Sequence, residues 1–497
     1  MERRAVAWRS AALCVVLAIV ALAHYQVHWW PTRDPPEVQP FPVHLDEHLH
    51  WGFAKAALEQ RTVSFGDPFS GEPTAEYSLE AHLHERGFHA YLGAFQGVTG
   101  IPWEAIFGAG PVVVALLLAL AVYALAQRWG AGLEAALWVA AIPTTLRFLG
   151  PGFLVPIAFA LPILVAGLIA TFAPRSIGTL LIVAVVAAAL WPIHVIAAVA
   201  FLVVAGAHAL LSLRASPWGT VAVLAALVIP FFLAEPFYSR AFREDVSPLE
   251  LPLSLDDVRL FGVVPLLFAG IGAAALVLRG KDAAREGTAL AFALGAAGTP
   301  ILVRALSGND PFALYDRSVL LLYLVAAILG GAGLAAARRG LASLARRGPR
   351  PLRTPLVALA AVALVSLQLV AVASAVGENA RRDLYLILDE EQHAAFVDAA
   401  QRLGPEHTRA IVDARASMAF TAITGRPTLF VDYPWSATPR VATEFFASGA
   451  EDTHLLVETR TTIVVTRQPV RNPDLVPLND VVYVLRPDYV ARMGAAG

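Results

Sequence analysis

The sequence predicts an α-helical membrane protein that crosses the bilayer about eleven times and carries a small α/β domain at its C-terminal end. Three observations lead there. Of the 497 residues, 57% are hydrophobic and only 15% are charged, against roughly 25% charged in a soluble domain. The mean hydropathy is +0.62, more apolar surface than a soluble chain can cover. Apolar stretches of span length recur from end to end, and basic residues gather in alternate connections between them. The net charge of −2 provides no basic field for nucleic acid. The single cysteine, Cys14, excludes an intrachain disulfide and a cysteine-based metal site.

The first apolar run, 5–23, follows Arg3 and Arg4 and reads as a retained helix, because His24, Tyr25 and His28 follow it instead of small cleavage-site residues. Ten further spans are expected near 105–126, 132–149, 152–173, 177–192, 193–213, 218–235, 260–278, 287–305, 317–337 and 354–376. Trp191-Pro192 divides the fifth from the sixth.

With the N-terminus in the cytoplasm, the inside segments hold Arg3, Arg4 and Arg9, then Arg128, Arg175, Arg214, the group Arg279, Lys281 and Arg285, and the run from Arg338 to Arg353. Every inside connection is then basic. A first loop at 28–104 and the C-terminal tail at 377–497 both fall outside. The expected division is a transmembrane domain over 1–376 that includes the loop, and a soluble extracytoplasmic domain over 377–497. In the tail, 386–403 and 439–448 read as helices, and RAIVDA (409–414), PTLFVD (427–432), TTIVVT (461–466) and VVYVLR (481–486) as strands.

Chemistry concentrates in the first loop. Eight of the 13 histidines lie between His24 and His89. Asp46-Glu47 stands just before a helix-like segment with Trp51, Ala54 and Leu58 on one face. Such a pair at a helix start stays ionised and serves as a general base or a cation ligand. Read as structure alone, Asp46 is an N-cap and Glu47 a first-turn residue. Spacing does not separate the two readings.

LDEHLHWGFAKAALEQ, from Leu45, resembles the DE segment of protein O-mannosyltransferases and of bacterial lipid-A aminoarabinose transferases. Extended to GDPF, it also resembles the start of the oligosaccharyltransferase catalytic subunit. FHAYLGAFQGVTGIP, from Phe88, is similar to the amphipathic loop helix of the same GT-C class, and ITGRPTLFVD with TTIVVT is similar to the small outside domain of many members. The resemblance implies a GT-C-like membrane glycosyltransferase. It would move a sugar from a polyprenyl-phosphate-linked donor to a protein, lipid or glycan acceptor on the extracytoplasmic face. Asp46 would be the catalytic residue and Glu47 its partner. Arg317 would meet the donor phosphate, with Arg147, Arg304, Arg240 and Arg243 as further candidates.

One feature departs from the oligosaccharyltransferases. Their second acidic motif is replaced here by TTLRFLGPGFLVP, from Thr144, which contains no acid. A metal-independent reaction, as in the DE-type mannosyltransferases that the segment resembles, therefore fits better; a divalent cation, Mg2+ or Mn2+, stays an open expectation, with zinc ranked below it. His44, His48, His50, His82, His84 and Asp67 are the tentative acceptor or metal groups, and HxxxH at His44 and His48 has a zinc-like spacing. The alternatives are a multi-span transporter and a catalytically inactive GT-C-like protein. The spans carry almost no acids, whereas a transporter normally needs some.

Overall fold

The structure is a computed structural model. It describes residues 2–25, 42, 44–62, 68–69, 85–145, 149–234, 260–307, 315–347, 353–380, 388–413, 416–430 and 440–495. Two compact units divide the chain. One contains Met1–Val38 and Ala109–Leu384, the other Gln39–Gly108 and Tyr385–Gly497.

The first unit is a bundle of apolar helices: α1 (Glu2–Tyr25), then α4 (Trp103–Gln127), whose first residues belong to the second unit, α5 (Gly132–Val139), α6 (Pro156–Phe172), α7 (Ile177–Ile193), α8 (Val195–Leu211), α9 (Pro217–Ala234), α10 (Val263–Val277), α11 (Lys281–Ser307), α12 (Tyr315–Arg347) and α13 (Arg353–Ala380). Five of these are long and apolar enough to cross a membrane by length and composition, and five shorter ones are apolar. The expected span over 132–149 differs. Its helix covers only Gly132–Val139, about 12 Å at 1.5 Å per residue. Pro143 and the Gly150-Pro151-Gly152 turn end it, because proline removes a helical donor and glycine favours a turn. Trp191-Pro192 divides 177–213 as expected, with His194 as the C-cap of α7 and N-cap of α8.

Helix α12 forms the centre of this unit, with Val319, Tyr323, Ala326, Ile328 and Leu329 buried. It crosses α10 at backbone distance through two glycines. A Cβ on Gly272 would meet the Leu329 carbonyl at 1.9 Å, and one on Gly333 the Phe268 carbonyl at 2.0 Å. Small residues at such crossings are how helices pack without a hydrophobic driving force. Helices α1 and α13 instead expose Val15, Leu22, Leu359, Val362, Val365 and Val370, the surface expected of helices facing hydrocarbon.

The connections that carry basic residues converge. Glu286, buried near the start of α11, accepts from Arg128 Nη2 at 2.8 Å and from Trp129 Nε1 at 2.6 Å. Arg279 and Arg339 both donate to the Trp129 carbonyl, and Arg338 pairs with Glu134 at 2.9 Å. Arg128 also donates to the Phe172 carbonyl, and Arg175 to the Ser216 carbonyl. Five connections expected on one side of the membrane are thus linked to one another or to the end of a neighbouring helix.

The second unit joins part of the first loop to the tail. From the loop come α2 (Leu45–Gln60) and α3 (Arg86–Thr99); from the tail come α14 (Glu390–Arg402), α15 (Ser417–Thr424), α16 (Arg440–Ala447), α17 (Thr453–Glu458) and α18 (Pro487–Ala495). The tail sheet has the order β1-β2-β4-β3, with β1 (Ala410–Val412), β2 (Ile463–Val465), β3 (Leu475–Pro477) and β4 (Val482–Leu485). β1 runs parallel to β2, with Ile411 opposite Val464; β4 is antiparallel to both β2 and β3. The parallel pair requires the crossover that α15, α16 and α17 occupy. Phe445, Phe446, Leu456 and Leu485 pack around Ile411 and Val464.

Both predicted tail helices and three of the four strands form, at RAIVDA, TTIVVT and VVYVLR. PTLFVD contributes only a parallel bridge between Ala410 and Thr428, and 431–432 lie outside the described residues. Thr428 also donates its backbone N–H to the Phe69 carbonyl at 2.6 Å, so this segment divides its bonding between β1 and the loop.

Candidate functional site

Helix α2 carries the acid pair, and its sequence explains why it starts where it does. His44 is the N-cap, with extended backbone (φ −94°, ψ 145°). Its Nδ1 accepts the Asp46 backbone N–H at 3.1 Å. Asp46 and Glu47 follow in the first turn, where carboxylates complement the positive end of the helix. Arg61 ends the helix in a left-handed conformation at φ 52°.

Most of α2 is buried, including Glu47, His48 and His50, whereas Asp46 is only half-buried. Three neighbours hold the helix on different sides. Phe69 lies over Gly52 and meets Phe53 edge-on at 5.3 Å. Gly93 of α3 sits against the Ala54 carbonyl, where a Cβ would come within 2.9 Å. Lys55 donates to the Ala422 carbonyl of α15 at 3.4 Å. Burial pushes the Lys55 ammonium below its usual range, and Glu59 and Glu104 oppose that.

Around the acid pair the side chains are aromatic and histidine. The His48 ring donates from Nδ1 to the His44 carbonyl at 3.1 Å and stacks on Trp51, which stacks on Phe107 of α4. Burial pushes His48 down to about 3. The bond to the His44 carbonyl opposes this, while the charges of His393 on α14 and of His44 assist it. His48 is therefore neutral at physiological pH. Its Nε2 and the Trp51 Nε1 are buried and make no hydrogen bond among the described residues. Buried polar atoms in that state are uncommon and call for a functional explanation.

Two residues further along α2, about half a turn round, His50 meets a different set. Its Nδ1 lies 3.0 Å from His89 Nε2 and 3.8 Å from Glu85 Oε2. Among the described residues, this trio is the one group of three or more His, Cys, Asp or Glu side chains close enough to share an ion. Glu85 was absent from the sequence-derived candidates. Its E-x3-H spacing to His89 at a helix start was the available signal.

The histidines expected to act together thus have separate positions: His44 caps, His48 stacks on Trp51, and His50 faces α3. Asp67, His82, His84, Arg147, Arg240 and Arg243 lie outside the described residues. Arg304 and Arg317 stand on α11 and α12 respectively, with their side chains outside the described set. A groove of about 550 Å3 between α2 and α3, lined by Leu58, Arg61, Thr62, Ala90 and Gly93, lies toward the far end of α2, about 18 Å along the axis from Asp46.

No protein-family model matches the sequence, and no curated protein does. Solved structures do. The apo oligosaccharyltransferase of Archaeoglobus fulgidus superposes with a TM-score of 0.58 at 14% identity, covering 92% of this chain and 69% of its own. Apo ArnT from Cupriavidus metallidurans gives 0.55 at 13%, covering 97% and 98%. The same ArnT bound to undecaprenyl phosphate gives 0.53 at 13%, covering 96% and 98%. The chain therefore has the polytopic GT-C membrane fold that these two transferases share.

Proposed function

We propose that this protein is a membrane glycosyltransferase that takes a sugar from a polyprenyl-phosphate-linked donor and passes it to an acceptor on the extracytoplasmic face, with Asp46 as the catalytic base. One observation carries the reading. Asp46 is a partly exposed acid in the first turn of a mostly buried helix, in a chain with the GT-C fold. The buried, unbonded His48 Nε2 and Trp51 Nε1 two and five residues further on are additional support, as polar atoms that a bound substrate or water would satisfy. Among the similar structures, ArnT holds undecaprenyl phosphate, and the archaeal enzyme is tethered to an acceptor peptide containing an NVT sequon.

In this reading the Asp46 carboxylate removes a proton from the acceptor hydroxyl or amine. The freed lone pair attacks the anomeric carbon, the bond from that carbon to the phosphate oxygen breaks, and polyprenyl phosphate departs. Arg317, in the first turn of α12, is the proposed partner of the phosphate, with Arg147, Arg240, Arg243 and Arg304 as further cationic candidates. The GT-C relationship raises a divalent cation at this centre. Asp46 and Glu47 belong to no ion-sized group of three ligands among the described residues, and Glu47 is fully buried. Toward an all-oxygen Mg2+ or Mn2+ site they supply two carboxylates at most, and Asp67, a further candidate ligand, lies outside the described residues. The N-terminus is placed in the cytoplasm, and the loop and tail outside. The converging basic connections, which satisfy the positive-inside rule together, support that orientation.

The experiment is a deletion strain complemented with wild type or with Asp46→Asn, its lipid-linked sugars read by mass spectrometry. Accumulation of one polyprenyl-phosphate sugar in the deletion and in the Asp46→Asn strain, cleared by wild type, is expected. Uptake of a solute into vesicles without any lipid-linked donor would favour a transporter and overturn the proposal.

A further inference from the structure

We infer that His50, Glu85 and His89 form a binding site for a transition-metal dication of the Zn2+ class, which clips α2 to α3. The site is separate from the acid pair and does not depend on the transferase reading.

The donor atoms are already gathered. His50 Nδ1 and His89 Nε2 stand 3.0 Å apart, Glu85 Oε2 is 3.8 Å from His50 Nδ1, and all three donor atoms lie within 4.8 Å of one another. A tetrahedral ion bound at the usual Zn–N length of ~2.05 Å holds two nitrogens about 3.3 Å apart. The two rings need to open by only a few tenths of an ångström.

The chain supplies these atoms from two rigid helices. His50 is inside α2, and His89 is in the first turns of α3, where Glu85 is the N-cap. A carboxylate at an N-cap ordinarily bonds its own helix, but the Glu85 side chain makes no capping bond and lies against His50 instead.

The surroundings suit a bound ion more than a loose polar cluster. Both histidines are buried. Phe88 meets His50 edge-on at 5.5 Å, and Phe53 packs on His89 at 5.3 Å. These rings pack against the imidazoles and limit their reorientation. Glu85 keeps 21% of its side-chain surface exposed, which gives an ion a way in from solvent. Two imidazoles and one carboxylate leave a fourth tetrahedral position for water. Nitrogen donors favour Zn2+, Co2+, Ni2+ or Cu2+ over Mg2+ and Ca2+. The competing arrangement is a single proton shared between the two rings, with no ion.

The test uses full-length protein in detergent, purified without a polyhistidine tag, stripped with chelator and titrated with Zn2+ and Co2+. Wild type is expected to retain about one zinc per chain by elemental analysis and to show visible Co2+ bands of tetrahedral intensity. Zinc is expected to raise its thermal midpoint. His89→Ala should lose the bound metal, and Glu85→Gln, a substitution at a partly exposed position that keeps the packing, should bind it at least about tenfold more weakly. Asp46→Asn should bind as wild type does. Absence of stoichiometric metal in folded wild type, or equal binding by Glu85→Gln and wild type, would overturn the proposal. Sugar transfer is not the readout, so failure here and failure of the transferase reading are distinguishable.

Discussion

Glu47 is fully buried while Asp46, its neighbour in sequence, keeps part of its surface. Successive helical residues point about 100° apart, and in the first turn of α2 that rotation separates the two carboxylates into different environments. The pair therefore divides into a partly exposed and a packed member. Asp46→Asn should lower sugar transfer by at least about 100-fold, within the range of general-base contributions, and leave the thermal midpoint unchanged. Glu47→Ala should instead destabilise the fold by about 2–4 kcal/mol through a cavity and lost polar contacts. Transfer assays paired with thermal unfolding in detergent check both. Wild-type transfer by Asp46→Asn would remove it from the mechanism.

His48 makes the second unit sensitive to acid. Its folded value is about 3 against an ordinary 6.5, so between those values the unfolded chain takes up a proton that the folded chain refuses. The stability tied to neutral His48 is complete above about pH 6.5 and is lost as pH falls toward 3. His48→Leu should reduce that slope. It should not abolish it, because burial also lowers His393 and His407. Denaturant unfolding at a series of pH values measures the difference; parallel curves for the two proteins would contradict it.

Gly93 sets how closely α3 approaches α2. A Cβ there meets the Ala54 carbonyl at 2.9 Å and the Leu58 nitrogen at 3.4 Å. Gly93→Ala should cost about 1–3 kcal/mol, the range for overpacking against atoms that cannot rotate away. A thermal midpoint equal to that of wild type would show that the helices can separate freely.

Phe69 packs within the loop through its ring and reaches the tail through its carbonyl. Its ring fills the space over Gly52 beside Phe53, and its carbonyl accepts from Thr428 at 2.6 Å. Phe69→Ala should destabilise the second unit by about 3–5 kcal/mol. It should also speed limited proteolysis of the tail before the membrane helices are cut. Unchanged cleavage kinetics would mean that the tail holds the loop by other contacts.

Glu286→Gln tests the junction of basic connections. The carboxylate accepts from both Arg128 and Trp129, and a glutamine retains only one acceptor and no charge. A loss of about 1.5–3 kcal/mol is expected, the range for a hydrogen bond to a charged group, measured as a lowered thermal midpoint in detergent.

Most of the membrane architecture was legible in the sequence, because lipid makes the same demand at every span: an apolar stretch about 30 Å long with basic residues on one side. The exception at 132–149 is instructive. Its composition is apolar throughout, but Pro143 and the glycines after it break the backbone, so hydropathy counted a span where only eight residues are helical. The acid pair was also legible, as a local feature of a helix start. The capping residue was not. His44 takes that role through a ring nitrogen, whereas the common caps use a short side-chain oxygen.

By itself the sequence determined the membrane class, the positions of most helices, three of the four tail strands and the location of the acid pair. Each depends on periodicity, composition or spacing within a few residues. The tertiary structure decided which distant residues meet. It placed Phe69 against Thr428 across 359 positions and His50 against His89 across 39, and it buried Glu47 while leaving Asp46 partly exposed. Such choices depend on how closely helices approach, which glycines such as Gly52 and Gly93 permit but do not direct. Local sequence can specify a helix; the neighbour that covers each of its faces is selected only when all of the faces pack together.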